Sequence, residues 1–182
     1  GTTVWCLTTL ANGAVLAGGW NFAVEWGVDV PNRAIDSTTN GNVNAIELLA
    51  NGDLVIGGTF TTFAGITANR VAHLSGATWA PIGTGLSGGV SDVAELPNGD
   101  LVATGNFSSL GTYIARWDGV TWSAMPMPLV ASKWIYPLHT ADNGDLLAGV
   151  QATFSSCAVQ RWNGTTWSAV GGNFTGATVL GG

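Results

Sequence analysis

Charged side chains are scarce in this sequence of 182 residues, which has eleven acidic and five basic residues and a formal net charge of −6. The five cations are scattered along the chain, at Arg33, Arg70, Arg116, Lys133 and Arg161. A nucleic-acid site needs a basic stripe that neutralises phosphates, and this distribution provides none. The sequence therefore predicts no nucleic-acid partner.

Long apolar runs are missing as well. A helix that spans a bilayer needs about 20 consecutive apolar residues, and no run in this sequence approaches that length. The acidic balance also disfavours attachment to anionic lipid, so we expect no membrane span. The scarcity of Lys, together with abundant Thr, Ser, Gly and Trp, favours an extracellular or cell-surface location.

Residue types that commonly carry catalysis are few, and His73 and His139 are the only histidines. Neither belongs to a Ser-His-Asp pattern, and the two His and two Cys lack the ligand spacing of a zinc site. The sequence therefore predicts a protein without catalytic residues, metal or cofactor. An enzyme is the less favoured alternative, and it would require acids such as Asp29, Asp36 or Asp92 to gather in one cleft.

Only two cysteines occur, Cys6 near the start and Cys157 near the end. The pair is compatible with one disulfide and equally with two buried thiols. An intrachain disulfide would mean that the two ends meet and a ring closes, whereas an interchain disulfide would indicate a polymer. Both alternatives stay open from the sequence.

Glycine and tryptophan, by contrast, are abundant, with 27 and nine residues. This mixture is typical of many short strands joined by tight turns. The dipeptide Asn-Gly, a strong hairpin signal between alternating runs, recurs with spacings of 39, 47 and 45 residues. The four copies are Asn12-Gly13, Asn51-Gly52, Asn98-Gly99 and Asn143-Gly144.

Apolar residues keep the same positions around each Asn-Gly turn, as strands of fixed register require. A β-branched residue lies eight positions before the Asn, and another aliphatic residue lies five before it. These two columns are Val4, Val43, Val90 and Ile135, and Leu7, Ile46, Val93 and Leu138. Small residues close the second strand, as at Gly18-Gly19, and strand glycines indicate a bend or a close approach of another segment.

A second hairpin is clearest in the last three copies, where it leads to Trp79, Trp122 or Trp167. We expect these rings to pack between neighbouring sheets, because Trp offers the largest apolar surface of any side chain.

A double glycine followed by a Trp about 21 residues on, as from Gly58 to Trp79, resembles the kelch-type β-propeller repeat. The segment Arg-Trp-Asp-Gly-Val-Thr-Trp at 116–122, with a related copy at 161–167, is similar to repeats of secreted bacterial and fungal-wall propeller proteins. The resemblance covers nearly the whole chain. It implies four-stranded sheets arranged as the blades of a propeller.

The predicted fold is therefore all-β, a β-propeller of about four four-stranded antiparallel blades with a period of about 45 residues. It stands alone or forms part of a larger ring or strand-exchanged assembly. One domain spans 1–182, with blades at 1–42, 43–88, 89–133 and 134–175. Residues 176–182 begin a further first strand.

The favoured function is a non-enzymatic extracellular scaffold that assembles head-to-tail into a homo-oligomer or polymer. Residues 4–10 and the residues Ala177, Thr178, Val179 and Leu180 both have the pattern of a first strand, and a closed four-bladed ring has room for one of them. The leftover strand would pair with an exposed sheet edge on a neighbouring chain.

The alternative function is a module that binds a cell-surface glycan or a protein through its rim loops. Three aromatic residues outside the repeated Trp column are the candidates, because exposed rings stack on sugars: Phe63, Trp134 and Trp20.

Overall fold

The computed structural model describes residues 3–9, 13–20, 22–26, 38–126, 135–153 and 156–175. All regular secondary structure in these ranges consists of β-strands, so the prediction of an all-β chain is confirmed.

The strands form four antiparallel sheets and one small hairpin. Sheet one contains β1 (Val4–Thr9), β2 (Val15–Gly19) and β3 (Phe22–Trp26). Sheet two contains β4 (Val43–Leu48), β5 (Leu54–Gly58), β8 (Val71–Ser75) and β9 (Thr78–Pro81). Between β5 and β8, the strands β6 (Thr62–Phe63) and β7 (Ile66–Thr67) form the separate hairpin.

Sheet three contains β10 (Val90–Glu95), β11 (Leu101–Phe107), β12 (Thr112–Trp117) and β13 (Trp122–Ala124). Sheet four contains β14 (Ile135–Thr140), β15 (Leu146–Thr153), β16 (Ser156–Trp162) and β17 (Trp167–Thr175). Strands of each sheet follow one another in chain order, an arrangement consistent with propeller-like blades.

The first hairpins of sheets two to four close at the predicted Asn-Gly turns. In sheet three the Gly99 N–H donates to the Leu96 carbonyl oxygen at 2.8 Å, and Gly99 has a φ of +84°. A side chain would be strained at that φ, which explains the glycine. Gly52 and Gly144 occupy equivalent positions with φ of +88° and +86°.

In sheets two to four, an acid that precedes the second strand contacts a basic side chain of the third strand, as an ion pair with Arg in sheets three and four and as a contact with His in sheet two. The hairpin register brings these two columns of residues together. The pairs are Asp53 with His73, Asp100 with Arg116 and Asp145 with Arg161.

Neighbouring sheets pack face to face in chain order through three clusters of buried residues. The Trp column lies in these clusters as predicted: Trp79 packs between sheets one and two, Trp122 between sheets two and three, and Trp167 between sheets three and four. The Trp122 indole N–H donates to the Ile82 carbonyl oxygen of the preceding sheet at 3.2 Å. Within the described ranges, no packing of comparable extent joins sheet four to sheet one.

Glycines in the second strands make room for the following sheet. A Cβ on Gly57 would lie 2.4 Å from Val90 Cγ1, and a Cβ on Gly18 would lie 2.7 Å from Val43 Cγ1. Val43 and Val90 begin the first strand of the next sheet. The close approach expected at these glycines is therefore confirmed, and a β-branched side chain is what approaches.

Candidate functional site

We define the forward face of sheet four as Leu147, Val159 and Val170. None of the strands in the described part of the chain covers it. In sheets two and three the residue three positions after the repeated Trp is buried, with Ile82 6% and Met125 3% exposed. The equivalent Val170 is 42% exposed. Leu147 and Val159 are only half-buried, whereas their counterparts are fully buried. These counterparts are Val55 and Val102, and Val71 and Ile114.

The rear face of sheet one, which we define as Val4 and Leu7, is uncovered in the same way. Leu7 is 63% exposed, whereas Ile46, Val93 and Leu138 of the same column are at most 9% exposed. Val4 is also exposed, although the β-branched residues at the same position in the other sheets are buried against the preceding sheet. The two uncovered faces therefore lie on the first and last sheets of the series.

The first strands of all four sheets, β1, β4, β10 and β14, line a common cleft of about 950 Å³. Such a volume falls within the roughly 300–1,000 Å³ of small-molecule sites. Seven of its lining side chains carry an aromatic or polar group that could contact a ligand: Trp5, Asn44, Glu47, Ser91, Asp92, Tyr136 and His139.

Each first strand has a bulge or irregularity at the cleft. In sheet one the pairing passes from Val4 to Cys6 and leaves Trp5 unpaired; Asn44 and Ser91 are left unpaired at the same place in sheets two and three. In sheet four the shift falls between Ile135 and Leu138, around Tyr136. Bulges redirect side chains and are frequent beside binding sites.

Asp92 links two sheets beside the cleft. Its Oδ1 accepts the Val93 N–H at 2.9 Å, and its Oδ2 accepts the Leu138 N–H of sheet four at 2.6 Å. Burial raises the pKa of the Asp92 carboxyl above its ordinary value, and the two N–H donors oppose this increase. Both carboxylate oxygens thus have backbone partners, which indicates a structural role.

Glu47 presents a more available carboxyl. Its Oε1 accepts the Glu95 N–H at 3.3 Å. Burial raises the pKa of Glu47 to about 7; the Glu95 N–H opposes the increase, and the charges of Asp92 and Glu95 add to it. Near neutral pH this carboxyl can donate or accept a hydrogen bond.

Of the three aromatic residues that the sequence suggests as ligand contacts, the structure describes Phe63 and Trp20. Phe63 is fully buried, with its ring centroid 5.4 Å from that of Phe60 and 4.7 Å from that of Trp79. The prediction of an exposed Phe63 is therefore wrong, because the β6–β7 hairpin places its ring in the core of sheet two. Trp20 is 64% exposed but does not line the cleft. Trp134 lies outside the described residues.

Of the two alternatives that the sequence leaves open for the cysteines, the structure has the second, because both thiols are free and buried. The Cys6 thiol lies between sheets one and two, 3.7 Å from the Val43 carbonyl oxygen, whereas Cys157 belongs to sheet four. Burial raises the pKa of Cys6 to about 12. The predicted assembly strand, Ala177, Thr178, Val179 and Leu180, lies outside the described residues.

The sequence pattern alone does not predict the cleft, although one variable position of the repeat marks it. The position after the β-branched column contains four different residue types, Trp5, Asn44, Ser91 and Tyr136, in an otherwise repetitive strand. Asp92, one of three acids whose gathering would favour an enzyme, does lie in the cleft beside Glu47. Asp29 and Asp36 lie outside the described residues.

In the part of the chain that the structure describes, no three His, Cys, Asp or Glu side chains are grouped as a metal site would require. The same ranges contain no helix of sufficient length and hydropathy to cross a membrane.

Several solved structures share this architecture, and two of them illustrate it. A protein described as a "putative gluconolactonase" superposes with a TM-score of 0.57 at 14% identity, over 84% of this chain and 58% of that one. The extracellular domain of a "putative hybrid two component system" from B. thetaiotaomicron superposes with a TM-score of 0.58 at 13% identity, over 90% of this chain and 22% of that one.

At these identities the likeness shows the fold alone, a propeller-like arrangement of antiparallel sheets. The chain spans little more than half of the first structure and under a quarter of the second. No protein-family model matches the sequence, and no curated protein is similar to it.

Proposed function

We propose that the chain is a non-enzymatic, extracellular scaffold built from kelch-like propeller repeats, and that copies associate head-to-tail. The observation that carries the proposal is the exposure of Val170 in a column where Ile82 and Met125 are buried by the next sheet. An exposed apolar face of this kind marks an interaction surface.

A second copy of this chain is the partner that fits. Inside the molecule, the forward face of one sheet receives the rear face of the next, as Ile82 of sheet two packs with Val90 and Val93 of sheet three. The rear face of sheet one presents the same columns as Val90 and Val93. Contact between the forward face of one copy and the rear face of another would therefore repeat the internal interface.

Such a contact is heterologous, because two different surfaces meet. Heterologous contacts produce a ring if the rotation closes and a fibre if it does not. Scarce charge lowers the repulsion between copies. Burial of each Val or Leu side chain contributes about 1.5–3 kcal/mol before the entropic cost of association.

Strand exchange through Ala177, Thr178, Val179 and Leu180 stays a prediction, and the face-to-face contact does not depend on it. An extracellular location is supported weakly by the structural neighbour that is itself an extracellular domain. Rim-loop binding of a glycan or protein stays the alternative, and Trp20 is its exposed aromatic candidate.

Sedimentation velocity over a concentration series tests the association. We expect the native chain to form concentration-dependent oligomers, and Leu7→Asp or Val170→Asp to reduce them, because each places a carboxylate in one face. Val120→Asp is the matched control, since Val120 is 77% exposed in a hairpin turn of sheet three.

Mixing the two face variants tests the head-to-tail direction. Leu7→Asp keeps an intact forward face, and Val170→Asp keeps an intact rear face, so an equimolar mixture should form a one-to-one dimer and nothing larger. A native chain that stays monomeric at every concentration, or one variant that assembles as well as the native chain, would overturn the proposal.

A further inference from the structure

We propose that the cleft between the four first strands is a binding site for a neutral saccharide. This inference goes beyond the scaffold function, because it concerns the first strands of the four sheets; of the residues that define the two uncovered faces, Leu7 alone also lines the cleft.

The first argument is the coincidence of the bulges with the cleft. The irregular positions of the four first strands include Trp5, Asn44, Ser91 and Tyr136, and all four line the same space. One of the four also joins two sheets, because the Asn44 Nδ2 donates to the Val90 carbonyl oxygen of sheet three at 2.7 Å, so its Oδ1 is the atom that could contact a ligand. Bulges that redirect four side chains toward one volume are the arrangement expected of a binding site.

The second argument is that the bulge column does not repeat chemically. Packing columns contain Val or Ile, or Leu, Ile or Val, in every copy, whereas the bulge column supplies an indole, an amide, a hydroxyl and a phenol. Four equivalent backbone positions thus present four different functional groups around one cavity. A ligand that lacks the repeat symmetry of the four sheets requires different functional groups at these four positions.

The kinds of side chain indicate the ligand class. Trp5 is 40% exposed and offers an aromatic face, and Tyr136 lies on the strand at the other end of the cleft. Asn44, Ser91 and Glu47 provide hydrogen-bonding groups between them. Sugar rings have apolar faces that stack on aromatic rings and hydroxyl groups that exchange hydrogen bonds with amides, hydroxyls and carboxyls.

Charge argues against an acidic ligand. The lining residues that the structure describes include Glu47 and Asp92 but no Lys or Arg, and His139 is the single lining group among them that can carry a positive charge. A phosphate or carboxylate would therefore meet two carboxyl groups and no permanent cation. A fixed cation is also disfavoured, because the Asp92 oxygens already accept backbone N–H groups and Glu47 is partly neutral near pH 7. A neutral ligand with many hydroxyl groups has neither difficulty.

The test uses neutral oligosaccharides of glucose, mannose, galactose and N-acetylglucosamine on one array with sialylated and sulfated glycans. The Val170→Asp variant serves as the background, so that the result does not depend on whether copies associate. We expect binding to at least one neutral glycan, and calorimetry with that glycan should show about a tenfold loss of affinity in Trp5→Ala, equivalent to about 1.4 kcal/mol, because the ring that stacks on the sugar is removed.

Two further variants separate the cleft from other sites. Trp20→Ala removes an exposed Trp outside the cleft and should leave the affinity unchanged, whereas Trp5→Phe keeps an aromatic face and should retain most of it. Ser91→Tyr adds bulk within the cleft and should abolish binding. Thermal melts confirm that each variant is folded.

The proposal is overturned by an absence of binding to every neutral glycan, or by preference for acidic glycans. It is equally overturned if Trp20→Ala abolishes binding while Trp5→Ala and Ser91→Tyr do not.

Discussion

Among single residues, Glu47 makes the stability of the folded chain depend on pH, because its carboxyl is partly buried beside the cleft. Its pKa of about 7 in the folded chain lies above the ordinary 4.5 of a Glu carboxyl, so the folded state binds this proton more tightly than the unfolded state does. The stability that this group contributes is full below about pH 4.5 and is lost as the pH rises through 7.

Glu47→Gln should therefore be more stable than the native chain at pH 8, by about 1–2 kcal/mol after allowance for solvent screening. The difference should vanish near pH 4, where both side chains are neutral. Urea unfolding at a series of pH values measures it. Asp142→Asn, which changes an exposed acid in a turn outside the cleft, is the control. A Glu47→Gln variant that is less stable than the native chain at pH 8 would contradict the expectation.

Among strands, β5 shows how one small residue determines the distance between two sheets. A Cβ on Gly57 would lie 2.4 Å from Val90 Cγ1 and 3.1 Å from Val93 Cγ2. Both neighbours are buried side chains of β10, so they cannot move aside without disturbing the interface between sheets two and three.

Gly57→Val should consequently lower the free energy of unfolding by roughly 1–3 kcal/mol or more, the usual cost of overpacking a core. Gly172→Val is the matched control, because Gly172 also lies in a strand and a Cβ there would have no neighbour within 4 Å. Equilibrium unfolding in urea compares the two variants. Equal stability of Gly57→Val and Gly172→Val would show that the sheets are not packed this closely.

At the scale of the whole molecule, the two cysteines show whether a disulfide joins the first sheet to the last. Cys6 and Cys157 are free and buried, in sheets one and four. Thiolate is the reactive form of cysteine, and burial raises the pKa of Cys6 to about 12. Neither thiol should therefore react readily with Ellman's reagent in the folded chain, and both should react once the chain is unfolded in urea.

Intact mass under non-reducing conditions completes that measurement. We expect the mass of a single chain with two free thiols, so any assembly of copies should be non-covalent. Rapid reaction of the folded chain, or a covalent dimer on a non-reducing gel, would contradict the buried positions of the two residues. Cys157→Ser identifies which thiol responds as the chain opens.

Local chemistry explains how much the sequence could predict. Asn-Gly turns, alternating apolar residues and the Trp column determine hairpins through interactions that lie close along the chain, and their positions in sheets two to four were predictable. The ion pairs were not, because pairing Asp100 with Arg116 requires the register of two strands to be known.

Turn chemistry and strand alternation act within a few residues, so an all-β chain of repeated antiparallel hairpins is predictable from the sequence. The burial of Phe63, the separation of Cys6 from Cys157 and the convergence of Trp5 with Tyr136 on one cleft are visible in the three-dimensional structure alone. Those features depend on which sheets stack and which faces remain uncovered. Equivalent positions of a repeat carry the same local signal, but a residue in an inner sheet has neighbours on both faces, whereas Leu7 and Val170 have a sheet on one face alone.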